Sequence, residues 1–352
     1  MRKTVRLLAY LSIIVGVIIV GELRDFRSED AIVIGKSAWV DAQETYRVQH
    51  ATFSNTVYTC AITHENKPLA MCPGIRRSSA HAIVSIITAE GRTPAATLCW
   101  YMLGAKKLAY SLKKYVDMDM IMLVVDSDKV ITPDQRASLN QSGWQLCDVA
   151  AIDPEIMSQV DRSHNRYASE KMFSKLHMWG LVEYDSLLYI DSDVIAVSSP
   201  KRVFTTLTPQ MHAKGFEIGM VQLGYRWNDF NAGVMVVLPG FISEHRLRVA
   251  INTTVFNPNL AEQNFLNSLF RNRIFQLPHA YNLNNRNPTI ITNDATHLLL
   301  APAQPVFIHM LDKPWEYSLE NWAEGIRKYW INAPPTIHNC SQNSIQNIKL
   351  IG

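Results

Sequence analysis

Ser186-Leu187-Leu188-Tyr189-Ile190-Asp191-Ser192-Asp193-Val194 is an apolar run that ends in two carboxylates spaced i, i+2. The run reads as a buried strand. Strand alternation puts both carboxylates on one side, and a bend at that point lets both oxygens reach one cation. Hard oxygen donors suit Mg²⁺ or Mn²⁺, and those ions in turn suit a diphosphate. Spacing alone does not select this pair. Asp117/Asp119 and Asp126/Asp128 repeat it, and the second of these also follows an apolar run.

Working outward, strand and helix alternate. His81 to Thr88 reads as a buried strand, Ala96 to Lys114 as a helix with basic residues at its C-terminal end, and Ile121 to Val125 as a second buried strand. Thr132-Pro133-Asp134-Gln135 is a helix start with proline at its first position, and a short strand follows near Trp144 to Val149. Met172 to Glu183 is expected to be helical and to lead into the Asp191 strand. Val203 to Thr206 and the surroundings of Met220 are less regular. Asn231 to Leu238 reads as a strong strand and Leu260 to Phe270 as a helix. The alternation predicts an α/β fold with a mostly parallel sheet covered on both faces. Of the rival acidic pairs, Asp126/Asp128 is expected to serve a loop and Asp117/Asp119 a solvated turn.

The 352 residues are 47% hydrophobic and 18% charged, ordinary for a globular chain. Arg2, Lys3 and Arg6 account for the whole net charge of +3, so no basic stripe remains for nucleic acid. Those three residues precede the apolar run from Leu7 to Gly21, which extends to Leu23. An uncleaved signal anchor is favoured, with a cleaved signal peptide and secretion as the alternative. The basic flank then stays cytoplasmic and the rest is lumenal, a single-pass type II arrangement in the Golgi or endoplasmic reticulum membrane. Asn140, Asn252 and Asn339 open glycan-acceptor patterns, and an oxidising lumen would allow a local Cys60–Cys72 disulfide. Isolated thiols are the alternative. The expected organisation is a basic tail and anchor at 1–23, a stem at 24–80, a catalytic domain at 81–335 and a polar tail at 336–352.

Several segments, in order, resemble glycosyltransferase family 8, the glycogenin-like enzymes. They are Ile86-Ile87-Thr88, Tyr101-Met-Leu-Gly-Ala, Lys175-Leu-His-Met-Trp179, Leu188-Tyr-Ile-Asp-Ser-Asp193, Phe230-Asn-Ala-Gly-Val234, Glu262-Gln-Asn-Phe-Leu-Asn267, Tyr281-Asn-Leu283 and His309-Met-Leu-Asp-Lys-Pro-Trp315. The resemblance implies a GT-A fold, with one Rossmann-like nucleotide-diphospho-sugar transferase domain. It also implies retaining transfer of a hexose from a UDP-sugar and selects Asp191, Asp193 and His309 as metal ligands. The imidazole favours Mn²⁺ over Mg²⁺. By the same resemblance Thr88 and Tyr101 meet the nucleotide, and Lys175 and Lys313 meet the phosphates or sugar. Asn231 and Asn282 meet the sugar, while Glu262 or Gln263 stands on the reacting face.

The chain departs from the family pattern at Glu262, where Asp is common, and at Asn259, where an acidic residue is expected. Both touch the donor-sugar pocket. The turn after His309 is also shorter than in glycogenin, with Asp312 in it. The expected partners are a UDP-sugar donor, a glycan, protein or lipid acceptor, the membrane, and optionally a second copy in a homodimer. Three other readings compete: a catalytically silent nucleotide-sugar-binding protein, a self-glucosylating enzyme of glycogenin type, and a metal-dependent phosphoesterase. The last would need more clustered ligands than the sequence offers.

Overall fold

A computed structural model of the protein describes residues 71–89, 95–156, 170–222, 229–239, 244–284 and 305–310. β1 (His81–Thr88), α1 (Ala95–Lys113), β2 (Asp119–Val125), α2 (Pro133–Ser142) and β3 (Gln145–Asp148) follow in sequence. α2 starts as the sequence predicts. Thr132 caps it in a reciprocal capping box with Gln135, Pro133 opens it, and Gly143 closes it in the left-handed region at φ 111.

β4 (Ser186–Ile190), β5 (Val194–Ala196), β6 (Ile218–Gln222), β7 (Phe230–Val237), β8 (Ile274–Gln276), β9 (Leu283–Asn284) and β10 (Phe307–His309) complete the strands. The main sheet has the order β3-β2-β1-β4-β7-β6-β8. β1, β2, β3 and β4 are mutually parallel, β7 runs antiparallel to β4 and β6, and β8 is parallel to β6. The chain builds outward from β1 to β3 and then returns to the other side of β1 with β4. That reversal leaves a crevice beyond the carboxyl ends of β1 and β4, where open α/β sheets place their ligands.

The continuous apolar character of β4 has a direct cause. Leu187 and Tyr189 enter one core with Phe173, Trp179, Phe265 and Phe270, whereas Leu188 and Ile190 enter the other with Leu108, Trp144 and Phe307. Both faces of the sheet are thus covered, and every β4 residue is buried.

The chain leaves the main sheet at Asp191. β5 belongs to a second, three-stranded sheet of order β5-β10-β9, in which His309 pairs with Val194 and with Asn284. This small sheet was not expected from the sequence, because its strands are only two or three residues long.

Other differences are local. The segment expected as a helix over Met172 to Glu183 is a 3₁₀ helix, Glu170–Gly180. Three residues per turn stack Phe173, Leu176 and Trp179 on one line, and all three are fully buried. The irregular stretch at Val203 to Thr206 is a π turn, Val203–Leu207, that runs into α3 (Thr208–Lys214). The β6–β7 register shifts between Met220 and Val221, whose partners Met235 and Asn231 leave the extra residues on β7. α4 (Glu244–Thr253) was not predicted, whereas α5 (Ala261–Leu269) was.

The local Cys60–Cys72 disulfide is corrected. Cys72 bonds to Cys147, 75 residues away and with Cα atoms 5.2 Å apart. Closing a loop of that length stabilises the fold by about 4 kcal/mol in the chain-entropy picture. Cys99 is disulfide-bonded as well. The bridge ties the segment before β1, where Ile75 is fully buried, onto β3, so packing reaches back ahead of His81.

Asp119 is a second correction. It is no solvated turn residue: at 4% exposure it accepts hydrogen bonds from Ser78 N, Ser79 N, the Ser78 hydroxyl and Tyr184 Oη. These lie at the amino ends of β1, β2 and β4, opposite the crevice. Asp126 does serve its loop, accepting from Val130 N and Ile131 N and pairing with Arg136. Among the described residues no helix is long and apolar enough to cross a membrane. The expected anchor, most of the stem and the polar tail lie outside them.

Candidate active site

Several separate elements converge at the carboxyl end of β4. Asp191 N donates to Gly233 O (2.8 Å), which continues the β4–β7 ladder by one residue. The chain then bends, closed by Val194 N to Asp191 O (3.1 Å), and Met310 N donates to Asp193 O (3.0 Å). The β5–β10 pairing therefore brings His309 to Asp193, with Nε2 3.4 Å from Oδ1. Ligand atoms of Asp191, Asp193 and His309 all lie within 4.8 Å of one another. Of the three, Asp193 and His309 are buried and Asp191 is partly open to solvent.

Two glycines make this convergence sterically possible. A Cβ on Gly233 would overlap the His309 ring, lying 2.8 Å from Nδ1 and 2.8 Å from Asn231 Oδ1. A Cβ on Gly104, in α1, would land on the Ser192 carbonyl oxygen between the two carboxylates. The glycine of the Tyr101-Met-Leu-Gly-Ala segment thus lets α1 lie against the Asp191–Asp193 turn.

Lys175, on the 3₁₀ segment, is 1% exposed. Its Nζ lies 3.0 Å from Asp191 Oδ1 and 2.6 Å from Glu262 Oε1. Burial opposes its charge, but the two carboxylates outweigh burial and hold its pKa above the ordinary lysine value. Burial also opposes ionisation of Asp191, and Lys175 with the Tyr189 hydroxyl overcomes it, leaving Asp191 below the usual carboxylate range. At Glu262 burial wins over Lys175, and its pKa is raised. Burial likewise lowers His309 to about 4, so its imidazole is neutral at neutral pH, the form that can ligate a metal.

Two carboxylates and a neutral imidazole fit a divalent cation.

Gln263 Oε1 accepts from Ala232 N and Asn231 Nδ2, both at 3.1 Å, and Asn231 Oδ1 accepts from Gly233 N at 2.9 Å. Asn282 Nδ2 donates to Asn231 Oδ1 (2.7 Å), and Asn282 Oδ1 faces His309 Nδ1 at 3.0 Å. α5 is fixed to this strand end by Asn267, whose amide bonds both Phe230 N and Phe230 O at 2.8 Å. Ala261, just before Glu262, is buried at φ 46, a conformation that costs roughly 1–3 kcal/mol outside glycine. The anchors at Glu262 and Asn267 hold it there.

Of the residues expected from the sequence, Lys175, Asp191, Asp193, Asn231, Glu262, Gln263, Asn282 and His309 form one contiguous cluster. Lys175 contacts two carboxylates, where the sequence reading gave it sugar or phosphate. Thr88 and Tyr101 are half-buried, at the end of β1 and in the first half of α1. Lys313 lies outside the described residues.

The sequence reading missed Tyr189, Asn267 and the two glycines as site-builders. Spacing held a signal for two of them. Tyr189 is two residues before Asp191 on one strand, and Asn267 is four after Gln263 on one helix face.

A switch-point crevice lined by this ligand set defines an α/β protein suited to holding an anionic ligand through a cation. The chain belongs to a known family of that kind, glycosyl transferase family 8, whose description matches residues 96–318.

Among its relatives, UDP-glucuronate:xylan alpha-glucuronosyltransferase 2 of Arabidopsis thaliana is 29% identical over 61% of this chain and 33% of its own length. Glycogenin of Neurospora crassa is 26% identical over 61% of this chain and 30% of its own. The chain thus spans about a third of these two relatives. The galactosyltransferase LgtC, solved with donor and acceptor sugar analogues, superposes with a TM-score of 0.53 over 75% of this chain and 99% of its own, at 15% identity. That likeness concerns the fold, and it agrees with the expected GT-A-like α/β architecture.

Two outcomes follow from this geometry. Gly233→Ala should displace the His309 ring and weaken any divalent-cation binding at the cluster at least tenfold, measured by calorimetry, while the far-ultraviolet circular dichroism is unchanged. Wild-type affinity in that variant would mean that the ring does not ligate.

The second concerns pH in metal-free protein. Below about 6.5 the unfolded state protonates His309, whereas the folded state does so only near 4. Stability should therefore fall as pH drops through that window, by up to about 3 kcal/mol attributable to this group. His309→Gln should flatten the pH slope of urea unfolding, and parallel slopes would contradict the assignment.

Proposed function

We propose that the protein transfers a hexose or hexose derivative from a UDP-sugar to a glycan, protein or lipid acceptor, with retention at the anomeric carbon and dependence on Mn²⁺. The observation that carries this is the Asp191, Asp193 and His309 cluster at the switch point of a family 8 chain. In the reaction the bond from C1 to the diphosphate oxygen breaks and a bond from C1 to the acceptor hydroxyl oxygen forms. The hydroxyl proton leaves with the departing phosphate or a nearby base. When bound, the metal ion stabilises negative charge developing on the diphosphate as a Lewis acid. Asp191, Asp193 and His309 would hold it, and Thr88 and Tyr101 would flank the nucleotide.

The same cluster supports one retaining route over the other. A covalent route needs a carboxylate free to attack C1. Glu262 is 4% exposed with its Oε1 bonded to Lys175, and Gln263 Oε1 already accepts two N–H groups. Same-face attack, with the departing phosphate as base, asks neither residue to move.

The donor sugar is best found by assay. Glucuronate, which the name of one relative carries, belongs in a panel with glucose, galactose and N-acetylglucosamine. Release of UDP from one donor by the purified chain, dependent on Mn²⁺, is the expected result. Asp193→Asn should abolish it, a loss of at least a hundredfold in kcat/KM, without changing the thermal midpoint of the metal-free protein. Full Mn²⁺-dependent turnover in that variant would remove the metal assignment.

For location we propose a lumenal catalytic domain held by the Leu7–Leu23 segment in the Golgi or endoplasmic reticulum membrane. The Cys72–Cys147 bond supports an oxidising compartment, and the Asn140 and Asn252 acceptor positions are both exposed. In intact membranes the domain should resist added protease until detergent is present. Digestion without detergent would place it in the cytosol.

A further inference from the structure

The hydrogen bonds joining Gln263, Asn231, Asn282 and His309 have only one consistent direction. A backbone N–H can only donate, so Ala232 N fixes Gln263 Oε1 as an acceptor, and Gly233 N does the same for Asn231 Oδ1. Asn231 must then turn its Nδ2 to Gln263. Asn282 must turn its Nδ2 to Asn231 Oδ1, which leaves its own Oδ1 toward His309. An acceptor oxygen 3.0 Å from Nδ1 calls for a proton on Nδ1. Nε2, the nitrogen that faces Asp193, is then left with its lone pair bare.

We propose that Asn282 is a positioning residue that sets the His309 tautomer, oriented through Asn231 and Gln263 by the Ala232 and Gly233 N–H groups of β7. This gives Asn231 and Asn282 a role in preparing the ligand, beside the contact with the sugar expected from the sequence. The backbone supplies the direction, the two amides transmit it, and Nε2 is ready for a cation before one arrives. A ring held in this way loses little freedom on ligation, and removing such an outer partner of a ligating histidine typically weakens metal affinity by about 10–100-fold. The inference rests on the reading of Asp191, Asp193 and His309 as a metal site.

The test uses the full chain labelled with ¹⁵N in its histidine rings, metal-free and at neutral pH, with His309 assigned by the signal missing from His309→Gln. Two-bond ¹⁵N–¹H correlations should show a protonated Nδ1 and a bare Nε2. A protonated Nε2, or an averaged pair, overturns the proposal without any further variant.

Asn282→Leu, which removes the acceptor, should give a mixed or reversed tautomer and Mn²⁺ affinity weaker by about tenfold or more. Asn282→Asp, which keeps an acceptor toward Nδ1, should restore the Nδ1–H form. A wild-type tautomer and affinity in Asn282→Leu also overturn the proposal. Calorimetric titration of the wild-type chain with Mn²⁺ separates the two readings: no binding there refutes the metal site, while the tautomer result stands or falls by itself.

Discussion

A lysine ammonium at 1% exposure is unfavourable unless carboxylates face it, and acidic groups crowded into one pocket are unfavourable unless a cation sits among them. At this site each need answers the other. Lys175 touches Asp191 and Glu262, and it holds Asp191 in its charged form beside Asp193 before any metal is present. Removing the lysine would leave Asp191 and Glu262 to share one pocket uncompensated, and one would protonate. The pairing also decides which atoms stay available. Asp191 Oδ1 is taken by Lys175 and the Tyr189 hydroxyl, so its other oxygen is the one left for a cation.

The second constraint is topological. β4 and β5 are separated by three residues yet belong to different sheets, and those residues are Asp191, Ser192 and Asp193. A strand that simply continued would send both carboxylates along one face at strand spacing. Crossing between sheets instead wraps the turn so that β10 can deliver His309 from the far side. Gly104 and Gly233 are the points where neighbouring elements come close enough for this to happen. The site is a property of the junction between two sheets more than of either sheet.

That distinction explains what could be read in the sequence. β1, β2, β4, β7 and α5 are continuous apolar or periodic runs, and their signal comes from burial on one or both faces. Asp191 and Asp193 sit at the end of such a run, and His309 and Gln263 came with motifs that resemble a family. The small sheet was invisible because two or three residues carry no period. The long-range contacts were invisible for another reason. Nothing local marks Cys147 as the partner of Cys72 across 75 residues, or Asp119 as the acceptor for Ser78, Ser79 and Tyr184. A carboxylate between a helix and a strand resembles a solvated turn until the chain segment that donates to it is placed.

Glu262 shows how a one-methylene departure can matter. Asp is common at this position in the family pattern, and the glutamate here brings Oε1 to 2.6 Å from the buried Lys175. A carboxylate shorter by one C–C bond of about 1.5 Å would fall short of that contact or pull the start of α5 inward. The start of α5 has little room to move, with Ala261 already at φ 46 and Asn267 clamped to Phe230. Glu262 therefore sets its carboxyl group against Lys175 in the buried interior. A charge held there still counts toward the field felt by a bound cation, because low-dielectric surroundings screen it weakly. It counts much less as a nucleophile, since attack would require breaking the Lys175 contact and exposing an unpaired ammonium.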